Sequence, residues 1–299
     1  MSDPRPLIPK NPKKIPDNFG GLPSRVSGYR NSAITVLPVA FDITSSWMKG
    51  SAKGPRAIIE ASKHMELYDI ETSSEVYLNG IHTAKELRAR TSSKMINAVQ
   101  INVNKYLTYN KFVVVLGGEH TVSLGSIKAH LSHFSNMSVL HLDAHTDMRN
   151  SYEGNKFSHA CVMARAKEIT DNIVSVGIRS IDSSELKNIN KKNIFYAMNI
   201  LKSKNWIQQV IRKLSRNVYI TIDVDVFDPS IMPSTGTPEP GGLGWYDVVG
   251  LLETVSESRN ITGFDVVELC PSENRAPDFL TAKLIYKILS LKFQNCKKK

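Results

Sequence analysis

Between Val139 and Asp147 the chain reads Val-Leu-His-Leu-Asp-Ala-His-Thr-Asp, so Asp143, His145 and Asp147 stand at every second position. In an extended backbone alternate side chains point the same way, which would present two carboxylates and an imidazole together. Two further stretches carry the same chemistry: Glu119-His120 after Gly117-Gly118, and Asp223-Val224-Asp225. His120, Asp143, His145, Asp147, Asp223 and Asp225 supply two imidazoles and four carboxylates, with no thiolate among them. Oxygen and nitrogen donors of this kind suit Mn²⁺ or a similar borderline-hard ion better than copper or an iron-sulfur cluster. One divalent ion cannot neutralise four clustered carboxylates, whereas two can, with some carboxylates bridging. A metal pair roughly 3.5 to 4 Å apart can activate a water as nucleophile at neutral pH. Asp is also common in ordinary turns, but turns alone do not explain six such residues at successive strand ends.

These residues need elements that bring them to one edge. Residues 34–41, 112–116, 138–142, 173–178, 218–222 and 261–267 are apolar runs of strand length, the near-continuous pattern of strands covered on both faces. Helical spacing separates them. Pro55 suits a first helical turn, with Ala57, Ile58, Ala61, Met65 and Tyr68 along one face, and Met95, Ile96, Val99, Val103 and Tyr106 share a face over 92–107. Further helices are expected from about Thr121 and over 202–214, 245–257 and 281–293. The alternation predicts a three-layer α/β/α domain around a parallel sheet, with its site beyond the strands' carboxyl ends. All six candidate ligands fall there, and Glu268 ends the last apolar run.

With 299 residues and 41% hydrophobic content, the chain can bury a full core. It reads as a single domain over residues 31–299 behind an irregular, proline-rich N-terminal arm, residues 1–30. No apolar run approaches the roughly 20 residues of a bilayer span, and no signal-peptide core is present, so a cytoplasmic protein without a membrane partner is expected. Cys161, Cys270 and Cys296 have no CxxC spacing, which suggests neither a disulfide framework nor a thiolate metal site. Much of the net charge of +10 sits at the ends, on Lys10, Lys13, Lys14 and Lys297 to Lys299, and argues for solvated tails rather than nucleic-acid binding. His130 and His133 fall in a polar stretch after a helix, His64 and His82 have no nearby ligand partners, and His141 alternates into the sheet packing. All five read as structural or solvated.

Gly117-Gly118-Glu119-His120, then Asp143-Ala144-His145-Thr146-Asp147, then Asp223-Val224-Asp225 running through Asp228-Pro229 to Gly236-Thr237-Pro238-Glu239-Pro240-Gly241-Gly242, and finally Glu268, together resemble the ureohydrolases, the family of arginase and agmatinase. Gly54-Pro55 with Ile58-Ile59, Glu66-Leu67-Tyr68-Asp69 and Ser158-His159-Ala160 resemble the agmatinase branch more than arginase. The resemblance implies a central, mostly parallel eight-stranded sheet and two Mn²⁺ per subunit. It implies that His120, Asp143, Asp147 and Asp223 hold one ion, and that His145, Asp143, Asp223 and Asp225 hold the other. Glu268 would bind the substrate guanidinium, supported by Thr237, and His159 would be a mobile histidine exchanging protons with bulk water. Asp147 would pass a proton to the departing amine, and Asp182 would face an ammonium end. A homo-oligomer, trimer or hexamer, is expected on the same ground.

Two departures bear on the substrate. Arginases carry asparagines that serve the amino-acid head of arginine where this chain has Arg149 and Phe157. An α-carboxylate would lose those neutral donors, so the expected reaction is hydrolysis of agmatine to putrescine and urea. Arg149 keeps an alternative open, because a guanidinium can clamp a carboxylate and so admit guanidino acids such as 4-guanidinobutyrate. A catalytically silent metal-binding homologue would lack a ligand, and none is missing.

Overall fold

In the computed structural model, residues 15–294 are described; Lys10, Lys13, Lys14, Cys296 and Lys297 to Lys299 lie outside them. The apolar runs become β1 (Ile34–Val39), β3 (Phe112–Gly117), β4 (Met137–Leu142), β5 (Ile173–Ile178), β7 (Asn217–Asp223) and β8 (Asn260–Val267). Two short strands, β2 (Ile81–Thr83) and β6 (Ile194–Tyr196), close the sheet at its edges. Their three residues are too few to carry a period-two signal, which is why the apolar runs alone point to six strands. All eight run parallel in the order β2-β1-β3-β8-β7-β4-β5-β6.

The sheet is covered on both faces. Within β3, Val114 and Leu116 join one apolar cluster while Val113 and Val115 join another. β4 alternates likewise, with Leu140 and Leu142 on one side and Met137 and Val139 on the other. The first face packs α2 (Gly54–Ser62), α7 (Trp206–Lys213), α8 (Trp245–Ser258) and α9 (Ala276–Gln294), and the second packs α3 (Ser92–Thr108), α4 (Ser123–His133) and α5 (Val162–Lys167). α9 begins earlier than its apolar spacing suggests, because Asn274 Oδ1 accepts the Ala276 amide and Pro277 suits the first turn. His130 lies inside α4 and is fully buried, with Nδ1 2.8 Å from the Ser126 carbonyl; it is not in a polar stretch after the helix. Burial pushes its pKa down to about 4, as expected of a core imidazole.

The described part of the N-terminal segment is anchored. It includes α1 (Ser24–Ser27), and Phe19 and Leu22 are fully buried in the first cluster. The Phe19 and Gly20 amides donate to Thr83 Oγ1 and Ser62 Oγ. A further short helix, α6 (Ala197–Ile200), follows β6. Among the described residues, no helix is long and apolar enough to cross a membrane.

The four central strands, β3, β8, β7 and β4, deliver His120, Glu268, Asp223 and Asp143 to one edge, side by side. Turning out of β3 requires a close backbone approach: a Cβ on Gly118 would lie 2.0 Å from the Phe41 carbonyl oxygen. Only glycine fits there.

Candidate active site

At that edge, His120 Nδ1 lies 3.1 Å from Asp143 Oδ2, 3.1 Å from Asp147 Oδ2 and 3.6 Å from Asp223 Oδ2. His145 Nδ1 lies 3.0 Å from Asp225 Oδ2 and 3.6 Å from Asp143 Oδ1. Asp143 thus divides its two oxygens between the two imidazoles. Asp223 Oδ1 accepts the Asp225 amide and Asp225 Oδ1 accepts the Ala144 amide, so each carboxylate is held by backbone while its other oxygen faces inward. Asp143, His145 and Asp147 do not sit on one straight strand. β4 stops at Leu142, and Asp147 takes a left-handed φ of 51°, which turns its carboxylate back toward His120.

The charge balance of this cluster calls for cations. Burial opposes charge on His120, but Asp143 and Asp147 overcome it and raise its pKa well above the ordinary value. Burial opposes His145 as well, yet Asp225 and Asp143 push it up to about 12. Burial would raise Asp143, but His141, His120 and His145 hold it well below the usual carboxylate range. Asp223 and Asp225 are raised, first by burial and then by negative neighbours, and Glu268 is raised by burial and by Glu119. The imidazoles do not offset the carboxylates. Buried His120 Nδ1 makes no hydrogen bond of good geometry although two carboxylate oxygens lie 3.1 Å away, an arrangement that a cation shared among these atoms would satisfy. The residues fit a pair of divalent cations.

A cavity of about 220 Å³ opens onto the cluster, lined by His120, His145, Asp147, Asp223, Asp225, Glu268, His159, Thr237 and Asp182 among others. Every sequence-derived candidate except the fully buried Asp143 lines it. Glu268 has a φ of 65°, and its Oε1 accepts the His120 amide at 2.7 Å, which leaves Oε2 toward the cavity near Gly236. His159 Nδ1 lies 3.3 Å from Thr44 Oγ1, whose hydroxyl donates to the buried Glu119 at 2.6 Å. Asp182 Oδ1 caps a short turn through the Ser184 amide, and Oδ2 lies 3.3 Å from Arg149. Glu185 is buried at the cavity wall, where one oxygen accepts from the Thr146 hydroxyl and the Met148 amide and the other lies 3.6 Å from Arg149 Nε.

Several residues at the site escaped sequence reasoning. His141 does more than pack: its Nε2 lies 2.8 Å from Asp143 Oδ2 and its Nδ1 3.1 Å from Ser175 Oγ. The alternation that groups residues 143, 145 and 147 also reaches 141, so a signal was available there. Thr235 Oγ1 is buried without a partner and Thr235 lines the cavity, which only the fold reveals. Thr44 and Glu119 meet across 75 positions.

A family model described as the Arginase family matches residues 32–290. The chain belongs to the arginase family. It is 36% identical to the N(1)-aminopropylagmatine ureohydrolase of Synechocystis over 92% of this chain and 94% of that protein. An N(1)-aminopropylagmatine ureohydrolase of Thermus thermophilus is 35% identical over 88% of this chain and 92% of its own length. The crystal structure of agmatine ureohydrolase of Thermoplasma volcanium superposes with a TM-score of 0.86 at 31% identity, covering 94% of this chain and 96% of that one. This arginase-family chain therefore has the arginase-like α/β fold and stands among ureohydrolases, with a His/Asp cluster at the strand ends.

Proposed function

We propose that the chain hydrolyses the guanidino C–N bond of an amine-terminated guanidine at a dimanganese centre, with agmatine giving putrescine and urea as the reference reaction. The observation that carries this reading is Asp143, whose Oδ2 faces His120 and whose Oδ1 faces His145, since a carboxylate so divided can bridge two ions. His120, Asp143, Asp147 and Asp223 would hold one ion, and His145, Asp143, Asp223 and Asp225 the other. Bound there, a divalent pair supplies Lewis-acid charge and a water ionised near neutral pH. Donors of oxygen and nitrogen alone suit manganese or a similar borderline-hard ion.

The chain's own groups do the rest. Glu268, fixed by the His120 amide, offers Oε2 to the planar guanidinium cation, with Thr237 on the same wall. Asp147 carries a proton to the departing nitrogen, and His159 exchanges protons between the cavity and bulk water. The water oxygen ends in urea, and both of its protons end on the departing nitrogen, which leaves as an ammonium.

At the outer wall, Arg149 is paired with Asp182 and Glu185 and so is not a free clamp for a carboxylate. That favours amine-ended substrates over guanidino acids. The Synechocystis and Thermus relatives favour a second reading within the same class, N(1)-aminopropylagmatine, whose hydrolysis gives spermidine and urea. Urea release from agmatine, N(1)-aminopropylagmatine, arginine and 4-guanidinobutyrate, each with added Mn²⁺, tests the reading. Either amine should exceed arginine in kcat/KM by at least about 100-fold, equivalent to roughly 2.7 kcal/mol. Comparable rates on arginine, or a faster rate on 4-guanidinobutyrate than on both amines, would contradict it.

A further inference from the structure

We propose that Thr221 and Asp265 are positioning residues that fix the tautomer of His120 and thereby set the affinity of one of the two cation positions. This rests on the two-cation reading above and extends it to a hydrogen-bond relay inside the sheet.

Asp265 lies in β8 directly opposite Thr221 in the β7 ladder, and both are fully buried. Asp265 Oδ1 accepts from Thr221 Oγ1 at 2.6 Å and from Ser123 Oγ at 2.9 Å, and its Oδ2 accepts from Tyr219 Oη at 2.6 Å. Three hydroxyls converge on this one buried carboxyl, the set of donors that its ionised form requires. As a carboxylate, Asp265 can only accept, so all three hydroxyls must spend their single proton on it. Thr221 Oγ1 is then left with lone pairs, and it lies 2.9 Å from His120 Nε2. The contact is satisfied only if Nε2 carries the proton.

A ring protonated at Nε2 and holding no second proton has its lone pair on Nδ1. That atom is the one that faces Asp143, Asp147 and Asp223 and makes no hydrogen bond of good geometry. Remove Asp265, and the Thr221 hydroxyl is free to turn its proton toward Nε2. The favoured tautomer then becomes Nδ1–H, which donates to the carboxylates and cannot ligate. The relay touches only His120. His145 lies outside the relay, its Nε2 facing Glu239 Oε1 at 3.6 Å. An effect confined to one of two ions is therefore the signature of the relay, and general loosening of the sheet would not produce it.

The test is calorimetric titration of the metal-stripped protein with Mn²⁺, for wild type, Thr221→Val, Thr221→Ser and Asp265→Leu, with melting curves to confirm folding. Valine keeps the shape of threonine and removes the oxygen, and serine restores it. Loss of an outer hydrogen bond of this kind costs about 10- to 100-fold in metal affinity. Thr221→Val should show that loss for one ion and leave the other within about threefold, Thr221→Ser should bind as wild type, and Asp265→Leu, which leaves Thr221 no acceptor, should, if folded, behave as Thr221→Val. Equal affinities in Thr221→Val and wild type overturn the relay, as do equal losses at both ions. Wild-type protein that takes up no divalent ion overturns the metal centre itself, a result distinct from either.

Discussion

Arg149 and Asp182 form an ion pair in the wall of the cavity, with the guanidinium nitrogen 3.3 Å from Asp182 Oδ2. Arg149 Nε also lies 3.6 Å from Glu185, and the guanidinium covers the Tyr152 ring at 4.9 Å. One cation between two carboxylates leaves this wall net negative, which suits an ammonium and repels a carboxylate. Asp182→Asn removes one of those charges and leaves Arg149 only Glu185 to offset it. It should lower kcat/KM for agmatine and raise it for 4-guanidinobutyrate, narrowing the ratio by about tenfold, or roughly 1.4 kcal/mol. An unchanged ratio would show that the pair plays no part in selecting the substrate.

Glu268 and Asp143 should separate cleanly. Glu268→Gln keeps the shape and the acceptor for the His120 amide but loses the charge that meets the guanidinium, so turnover should fall by at least about 100-fold with metal content nearly unchanged. Asp143→Asn should lose both metal and turnover, because Asp143 faces both imidazoles. Metal analysis of the two purified variants decides it; an empty Glu268→Gln site would mean that Glu268 holds the ions.

How far the sequence carries the structure depends on what each element leaves in it. β3, β4, β7 and β8 are buried on both faces and so appear as near-continuous apolar runs, interrupted by His141, Thr221 and Asp265, whereas β2 and β6 are three-residue edge strands with no period to read. The cluster residues are legible because their types are costly to bury without a purpose, and they recur where strands end. Backbone conformation at Asp147 and Glu268 is not legible, since nothing about an acidic residue announces a left-handed φ. Neither is Asp265, whose role depends on a hydrogen bond across two strands to a threonine.

That left-handed conformation has its own consequence. A non-glycine residue at φ 65° carries about 1 to 2 kcal/mol of strain. Comparing Glu268→Gly with Glu268→Ala isolates it, since both remove the carboxylate and only glycine accepts the conformation freely. In the metal-free state the glycine variant should melt about 2 to 4 °C above the alanine variant. Equal melting temperatures would mean that the backbone relaxes once the side chain is gone.

The protonation state of the metal-free cluster predicts a pH dependence. His120, His145, Asp223, Asp225 and Glu268 all have raised folded-state pKa values, so the folded chain holds their protons more tightly than the unfolded one. Their stabilisation is complete below the unfolded values, 3.8 to 4.5 for the carboxyls and 6.5 for histidine, and is lost as pH rises through the folded values, which reach about 12 for His145. Asp143, held low, works in the opposite sense with a smaller share of the groups. Metal must displace these protons, so the gain in melting temperature on adding Mn²⁺ should be larger at about pH 8.5 than at about pH 6. A larger gain at the lower pH would contradict the assignment of this cluster to the metal.

The most direct measurement follows urea release from agmatine, or from N(1)-aminopropylagmatine, while metal-stripped protein is titrated with Mn²⁺. Activity should be absent without metal, rise with added manganese and reach its plateau at two equivalents per chain, as Asp143 shared between His120 and His145 requires. A plateau at one equivalent, or urea release that ignores metal, would contradict the account.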